Sequence, residues 1–473
     1  MVFKKSLIFS VILFFGILLR FYNLNYENLW FDEIISFWIS DPNIDLNETI
    51  IRHRNQESIP ITYYLILKKL HNLFYYSPEI GRYLSSTIGT INILLIWVLS
   101  RQISKNNSNL MALFLVSFNI YLIMYSQEMR VYNFSFFICC INLILIFKSI
   151  SDEREKYNVT FFGLIIFQIL NIIIFPYTIL IFISLIIYIF YQYYIFNFIS
   201  KKINYALIIV IIFLCFYIPF YFSYSSLSIG WIEQPDLSFF TNFYFSKFFG
   251  SRLLGIVHLF FLLTLIIFFR KKIFVKKNKN SFLVILIICT YFFPLVYGYL
   301  IKPVIYSRYI IYVLIPIILL LSYVIFEIKN DKIKIFLISI LVFLNFGNHF
   351  SESTFKQFYK ERIRYKPNFD QMINYIGDSN YRNYQFDIDI PKEQSKQIYN
   401  ALVNYIGIID KKNKITSIDF NFDFNKQKFW NICLLTISKT KCSEKTNTEN
   451  YNLIDEKYFS GIKIKLLEKS NDK

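Results

Sequence analysis

Charged residues are scarce in this chain of 473 residues. Asp, Glu, Lys and Arg together make up 17% of the sequence, whereas hydrophobic residues make up 55% and aromatic residues 20%. Soluble globular domains usually carry about 25% charged residues. The composition therefore excludes an ordinary soluble protein. The net charge of +18 does not indicate a nucleic-acid partner either, because Lys and Arg cluster in short loops between apolar runs and form no basic stripe on a folded domain.

Glycine-rich phosphate loops and metal-binding cysteine motifs are both absent. Without such a loop, the sequence gives no sign of a bound nucleotide. Four of the six cysteines lie in apolar runs, where we expect them to pack as small apolar residues: Cys139, Cys140, Cys215 and Cys289. Cys433 and Cys442 lie in a polar tail, where a disulfide and free thiols both remain open.

Long apolar runs are abundant, and they predict a polytopic α-helical membrane protein. Runs of roughly 18 to 22 residues match the length that crosses the hydrocarbon core of a bilayer. No small-residue cleavage site follows the first run, so we expect it to be retained as a span. No internal repeat is visible, which argues against an inverted-repeat transporter. The sequence predicts about eleven spans, at residues 6–22, 84–101, 109–124, 132–148, 159–175, 177–198, 204–224, 253–270, 282–301, 305–326 and 333–349.

The distribution of Lys and Arg predicts the topology. Alternate loops are short and basic, most clearly Arg270–Lys277, and such loops are retained in the cytoplasm. We therefore expect a cytoplasmic N-terminus in the plasma (inner) membrane and a large first outer loop at residues 23–83. With an odd number of spans, the C-terminal tail also lies outside.

The tail has the alternating patterns of a small α/β domain. Helical spacing predicts helices over 369–376 and 398–406, closed by Gly377 and Gly407. Strands are predicted at 384–390, 429–437 and 462–466. The predicted domains are thus a multispan domain at residues 1–349 and an extracytoplasmic α/β domain at residues 350–473.

Two adjacent carboxylates follow the first span, in the stretch Leu29-Trp30-Phe31-Asp32-Glu33. A helix that starts here would lie along the bilayer surface, with its aromatic residues at headgroup depth. The pair would suit a substrate with a polar reactive end and a lipid tail. An alternative stays open, in which the two carboxylates only stabilise the helix dipole.

Further polar residues gather on the outer loops. Each of them could be structural, since Arg and Lys often extend from a membrane segment to the headgroups. Together they describe an outer cavity that contains acids and phosphate-binding bases. The candidates are Glu57, Tyr63, Tyr64, Arg82, Glu128, Arg130, Tyr132, Lys302, Arg308 and Tyr309.

In their order along the chain, these motifs resemble the family-39-type glycosyltransferases, which include protein O-mannosyltransferases and lipid A aminoarabinose transferases. The resemblance covers about residues 1–326 and implies the C fold, a multispan transferase with its active site on the non-cytoplasmic side. The matching segments are Arg20, Trp30–Glu33, Glu57–Tyr64, Tyr125–Tyr132 and Ser307–Tyr309.

The resemblance implies an inverting enzyme that moves a sugar from a polyprenyl-phosphate carrier to lipid A, another envelope glycan or a protein. Asp32 and Glu33 would form the catalytic pair, with Asp32 as the general base or as the group that stabilises charge at the attacking hydroxyl. Arg130 and Arg308 would bind the carrier phosphate, with Arg82 as a second choice. Lys302 is a further second choice for the phosphate. The sugar and the acceptor would contact Glu57, Tyr63, Tyr64, Glu128, Tyr132 and Tyr309.

The chain departs from the family pattern in two places. Many relatives have His-Pro-Pro or Lys-Pro-Pro where this chain has Ser58-Ile59-Pro60, which puts acceptor choice in question. A histidine that helps to hold a metal in some relatives has no counterpart near Phe175-Pro176-Tyr177. The resemblance leaves a divalent metal open as cofactor, and the missing histidine argues against it.

Two other functions remain as alternatives. A transporter or flippase of a lipid-linked sugar would share the lipid recognition but would need ionisable residues inside several spans. A non-catalytic envelope assembly subunit would use its exported tail to bind a partner.

Overall fold

A computed structural model describes residues 2–151, 159–198, 200–224, 232–350, 366–380, 384–390, 396–410, 415–417, 428–435 and 451–470, with side chains from residue 5 onward. These residues form α-helices α1 to α20, which run in chain order over Val2–Phe21, Phe31–Ile39, Leu46–Gln56, Thr62–Leu73, Pro78–Ile103, Ser108–Phe118, Ile120–Ser126, Val131–Ser151, Val159–Ile174, Ile179–Phe196, Lys201–Tyr224, Leu237–Asn242, Phe245–Phe248, Arg252–Phe268, Arg270–Ile273, Lys279–Leu300, Leu314–Phe326, Asp331–Gly347, Phe369–Asp378 and Lys396–Ile409. Short 3-10 helices occur at Pro176–Thr178, Ile311–Val313 and Asn348–Phe350.

Each of the eleven predicted spans coincides with an apolar helix or helix pair. Among the described residues, six helices are long and apolar enough to cross a membrane, and the pair α6 and α7, bent by 55°, makes a seventh if it counts as one span. Three shorter apolar helices, Val159–Ile174, Arg252–Phe268 and Ile311–Phe326, carry further predicted spans. Helix α1 carries the first.

Exposed apolar side chains on these helices require a lipid environment. On α11, Ile208, Ile212 and Phe216 follow one another at helical spacing and are 51%, 55% and 76% exposed. Such a stripe would be unfavourable in water, where apolar burial drives folding. The chain is therefore an integral membrane protein, as the composition predicts.

The chain divides into two compact units, each of which is discontinuous in sequence. The first, here called the helical unit, contains Met1–Tyr22, Glu57–Tyr63 and Arg82–Arg362. The second, here called the mixed unit, contains Asn23–Gln56, Tyr64–Gly81 and Ile363–Lys473. Most of the first outer loop thus shares a unit with the tail. Whether residues 350–473 form a domain of their own stays a prediction.

The mixed unit contains a five-stranded sheet with strand order β2-β1-β3-β5-β4. Strand β1 is parallel to β2 and β3, whereas β5 is antiparallel to β3 and β4. The strands are β1 Gln385–Asp389, β2 Thr416–Ser417, β3 Lys428–Leu434, β4 Tyr451–Phe459 and β5 Ile462–Lys469.

The predicted tail elements are largely confirmed. All three predicted strands and both predicted helices are present, although the end of the predicted strand at 436–437 lies outside the described residues. The predicted helix stops were wrong: α19 continues past Gly377 to Asp378, and α20 continues past Gly407 to Ile409. A glycine in a helix costs only about 1 kcal/mol, which the packing of an apolar stripe can offset. Strand β4 was missed because only one of its nine residues is buried, so its apolar and polar residues do not alternate.

Cys433, on β3, is disulfide-bonded. Cys442, the other cysteine of the tail, lies outside the described residues. The four cysteines in apolar helices are free thiols, and three of them, Cys139, Cys140 and Cys289, are buried as expected of packing residues. Cys215 is exposed on α11.

Candidate active site

Helix α2 in the mixed unit begins at the acidic pair. Trp30 has extended backbone angles, φ −87° and ψ 171°, and the helix starts at the next residue, so that Asp32 and Glu33 occupy its first turn. Negative side chains at this position interact favourably with the helix dipole. The apolar residues that follow, including Ile34, are buried and hold the helix in the unit.

The two carboxylates differ in their surroundings. Glu33 is fully buried, and its Oε2 lies 2.7 Å from Lys366 Nζ and accepts a hydrogen bond from the Trp30 N–H at 3.4 Å. Asp32 stays partly exposed. Of the predicted catalytic pair, Asp32 is therefore the more accessible carboxylate, and its catalytic role stays a prediction.

In the helical unit, Arg130 and Glu57 form a buried ion pair. Their side chains are 3% and 10% exposed, and Nη1 of Arg130 lies 2.5 Å from Oε1 of Glu57. Removing one partner of such a pair leaves an uncompensated charge, at a cost of about 3–5 kcal/mol. The ion pair thus connects Glu57, which directly precedes Ser58, to Arg130 in the loop before α8.

The turn that carries Arg130 is anchored to the end of α1. The side-chain amide of Gln127 donates hydrogen bonds to the carbonyls of Leu19, Arg20 and Tyr22, at 3.0–3.2 Å. The Arg20 guanidinium in turn donates to the carbonyls of Gly16, Val116 and Ser117. These bonds satisfy the carbonyls of α1 and of the break before α7, where helical bonding ends. Arg20 and Gln127 therefore hold the loop in place.

Two guanidinium groups lie near one aromatic ring. Arg130 Cζ is 5.8 Å from the ring centre of Tyr132, and Arg308 Cζ is 5.7 Å from the same centre. Arg308 also lies 5.6 Å from the ring of Tyr309 and 5.2 Å from that of Tyr306. The negative face of an aromatic ring attracts a cation at such distances. These tyrosines therefore help to hold two positive charges close together.

Tyr309 lies at the centre of this cluster. Its ring stacks on that of Tyr177, with a separation of 4.8 Å. Its ring also lies 6.1 Å from that of Tyr132 and 6.2 Å from that of Phe175. Tyr309 therefore connects Tyr177 to the ring that lies near both guanidinium groups.

The structure brings together five of the predicted site residues in the helical unit: Glu57, Arg130, Tyr132, Arg308 and Tyr309. Asp32, Glu33 and Tyr64 belong to the mixed unit, so their convergence with the arginines stays a prediction.

The remaining candidates have other surroundings. Tyr64 is buried, with its ring 5.1 Å from that of His53. Tyr63 is also buried, with its ring 6.3 Å from that of Phe134. Arg82 and Glu128 are buried in the helical unit, whereas Lys302 is exposed. The roles of these side chains stay predictions.

Three neighbours of these residues are not among the candidates that the sequence predicts. Tyr177 ends the stretch Phe175-Pro176-Tyr177, and Tyr306 directly precedes Ser307, so their aromatic side chains next to these motifs are a signal in the sequence. Lys366 had no such signal, since it lies in the tail at a separation of 333 residues from Glu33.

A metal site is not formed by the part of the chain that the structure describes. No group of three or more His, Cys, Asp or Glu side chains there could hold a metal ion.

Comparison with solved structures reveals the same fold in membrane glycosyltransferases. ArnT from Cupriavidus metallidurans matches in the apo state with a TM-score of 0.61 and 9% identity, and bound to undecaprenyl phosphate with a TM-score of 0.56 and 8% identity. Each match covers 98% of both chains.

An oligosaccharyltransferase from Archaeoglobus fulgidus, in complex with Zn and sulfate, matches with a TM-score of 0.51 and 10% identity. That match covers 90% of this chain and 68% of the other. No protein-family model and no curated protein sequence matches the chain.

Identities of 8–10% establish the fold and not the substrates. The predicted resemblance is confirmed at that level: the chain has the C fold of the membrane glycosyltransferases, with its helical membrane part and its C-terminal sheet.

Proposed function

We propose that this protein is an inverting, family-39-type glycosyltransferase that moves one sugar from a polyprenyl-phosphate carrier to an acceptor in the cell envelope. The proposal rests on one observation: Arg130 and Arg308 lie near the same tyrosine. Their Cζ atoms are 5.8 and 5.7 Å from the ring centre of Tyr132. Guanidinium groups bind phosphate oxygens through paired hydrogen bonds. A fold shared with ArnT, which was solved with undecaprenyl phosphate bound, supports the same assignment.

The proposed reaction is a direct displacement at the anomeric carbon. Asp32 takes the proton of the acceptor hydroxyl, and the hydroxyl oxygen forms the new bond to the anomeric carbon. The bond from that carbon to the carrier phosphate breaks, and the phosphate leaves with the electron pair. Arg130 and Arg308 stabilise the charge that develops on the phosphate. Glu57 orients Arg130 through the buried ion pair.

We place the reaction on the outer face of the inner membrane. The positive-inside rule puts the first loop and the tail outside, and the disulfide at Cys433 fits an oxidising compartment. At that face the donor sugar is already exported, so no nucleotide site is required.

The transport alternative has less support. It predicts charged residues inside several spans. Helix α10 contains no Asp, Glu, Lys, Arg or His, and the only such residues of α11 and α16 are lysines in the first two positions of each helix. We therefore favour transfer over transport.

Deletion of the gene, followed by mass analysis of envelope lipids, glycans and proteins, tests the proposal. We expect the loss of a single sugar increment from one acceptor class, restored by the wild-type gene, and this result would also identify the sugar and the acceptor. An unchanged envelope profile, with the lipid-linked donor present on the outer leaflet, would contradict the proposal. Loss of that donor from the outer leaflet would indicate a flippase.

A further inference from the structure

A lysine of the C-terminal tail neutralises the buried member of the acidic pair. Nζ of Lys366 lies 2.7 Å from Oε2 of Glu33, and both residues belong to the mixed unit. The Glu33 side chain is 0% exposed and that of Lys366 is 15% exposed. A carboxylate removed from water to this extent requires a compensating charge, which Lys366 supplies.

The tail also binds the backbone just before α2. The N–H of Leu29 donates a hydrogen bond of 2.8 Å to the hydroxyl of Tyr405, a buried residue of α20. The N–H of Asp370, in the first turn of α19, donates to the side-chain oxygen of Asn28 at 3.2 Å. Both tail helices therefore hold the segment that leads into the acidic pair.

These contacts give the carboxylates of Asp32 and Glu33 different environments. The oxygen of Glu33 that binds Lys366 also accepts the N–H of Trp30, which closes the first turn of α2. Adjacent residues of an α-helix point about 100° apart. When Glu33 is held inward, Asp32 consequently remains at the surface of the unit, partly exposed.

We infer that Lys366 and Tyr405 are positioning residues of the acidic site, through which the tail holds the start of α2 and presents Asp32 as the accessible carboxylate. The effect on catalysis rests on the proposed transfer reaction. The contacts of Lys366 and Tyr405 with Glu33 and Leu29, here called the brace, do not depend on that reaction.

Hydrogen exchange of the full-length protein in detergent tests the brace. In Lys366→Met, Glu33 keeps its charge and loses the ion pair with Lys366, so we expect amides of residues 29–36 to exchange at least about tenfold faster than in the wild type. The matched control is Lys463→Met, which removes a lysine that is 17% exposed and lies 2.6 Å from Glu456 in the same unit. It should leave exchange at residues 29–36 unchanged.

Two more variants separate the ion pair from a general loss of structure. Lys366→Arg keeps the positive charge and should exchange as slowly as the wild type. The double variant Glu33→Gln/Lys366→Met also removes the carboxylate that Lys366 neutralises, and it should exchange more slowly than Lys366→Met. If Lys366→Met does not fold, folding of the double variant supports the ion pair, and failure of both overturns it. Wild-type exchange rates in Lys366→Met, or equally fast exchange in Lys463→Met, would also overturn the brace.

Sugar transfer in complemented cells tests the positioning role separately. We expect Lys366→Met to reduce transfer at least about tenfold at equal protein level, and Lys366→Arg to recover most of it. Unchanged transfer in Lys366→Met would overturn the positioning role. If the wild-type chain transfers no sugar, the proposed function is wrong. The exchange experiment still shows whether the brace holds residues 29–36.

Discussion

Opposite charges compensate two of the buried charged groups of this protein. Glu57 neutralises Arg130 at 2.5 Å, and Lys366 neutralises Glu33 at 2.7 Å. Arg308 lies near the faces of three tyrosine rings, at 5.2–5.7 Å from their centres. In a low-dielectric site such charges act strongly on an incoming anion. Substitution of single charged residues therefore tests the assigned roles most directly.

Asp32→Asn should lower turnover by at least about 100-fold, because the amide cannot accept the proton of the attacking hydroxyl. The measurement is the rate of sugar addition in cells, or in membranes once the donor is known. Asp378→Asn, at an exposed aspartate at the end of α19, is the control and should leave the rate unchanged. Near-normal transfer by Asp32→Asn, at normal protein level, would remove Asp32 from its assigned role.

Arg308→Met should weaken the binding of undecaprenyl phosphate by about 10- to 100-fold, because a hydrogen bond to a charged group contributes about 1.5–3 kcal/mol. The dissociation constant of the purified protein in detergent checks this. Arg101→Met is the matched control, since Arg101 also lies over an aromatic ring, 4.8 Å from the centre of Trp97. If both variants bind as the wild type does, Arg308 is not a phosphate ligand.

At the scale of elements, one close contact between two helices depends on the absence of a side chain. Helix α14 packs against α13 at Gly255, where a Cβ atom would lie 2.5 Å from the backbone nitrogen of Ser246. A backbone atom cannot be displaced as easily as the end of a side chain. The approach of these two helices therefore depends on glycine at this position.

Gly255→Ala should destabilise the protein by about 1–3 kcal/mol, the usual cost of overpacking, and lower its Tm by several degrees. Gly347→Ala is the matched control, because nothing lies within 4 Å of the added Cβ at the end of α18. That change should be neutral or slightly stabilising, since alanine favours helix. Thermal unfolding in one detergent, followed for both variants, compares the two. Equal Tm values would show that α13 can move away from α14 without cost.

At the scale of the whole molecule, the distribution of charge decides which loops are retained in the cytoplasm. The basic loop around Arg270–Ile273 is predicted inside, and the sheet of the mixed unit outside. In intact spheroplasts, a membrane-impermeant maleimide should label Tyr458→Cys, on the exposed face of β4, where Tyr458 is 58% exposed. Lys271→Cys should be labelled only after lysis, and the unsubstituted chain provides the background. The reverse pattern would place Asp32 on the cytoplasmic side and contradict the proposed reaction.

Much of the architecture follows from the sequence, because its signals are local. Every predicted span coincides with an apolar helix, since the length of an apolar run is visible within the run itself. The same holds for α19, α20 and strands β1, β3 and β5, whose periodic patterns were recognised. Strand β4, at the edge of the sheet, has no such pattern, because only one of its nine residues is buried.

The sequence by itself determined a membrane protein with many apolar helices, a mixed tail and a set of polar motifs between the helices. Only the tertiary structure decided which charges meet: Glu57 with Arg130 across 73 residues, and Glu33 with Lys366 across 333. The physical reason is that a hydrophobic period depends on neighbours a few residues away. An ion pair depends on how distant segments pack, and no local pattern records that packing.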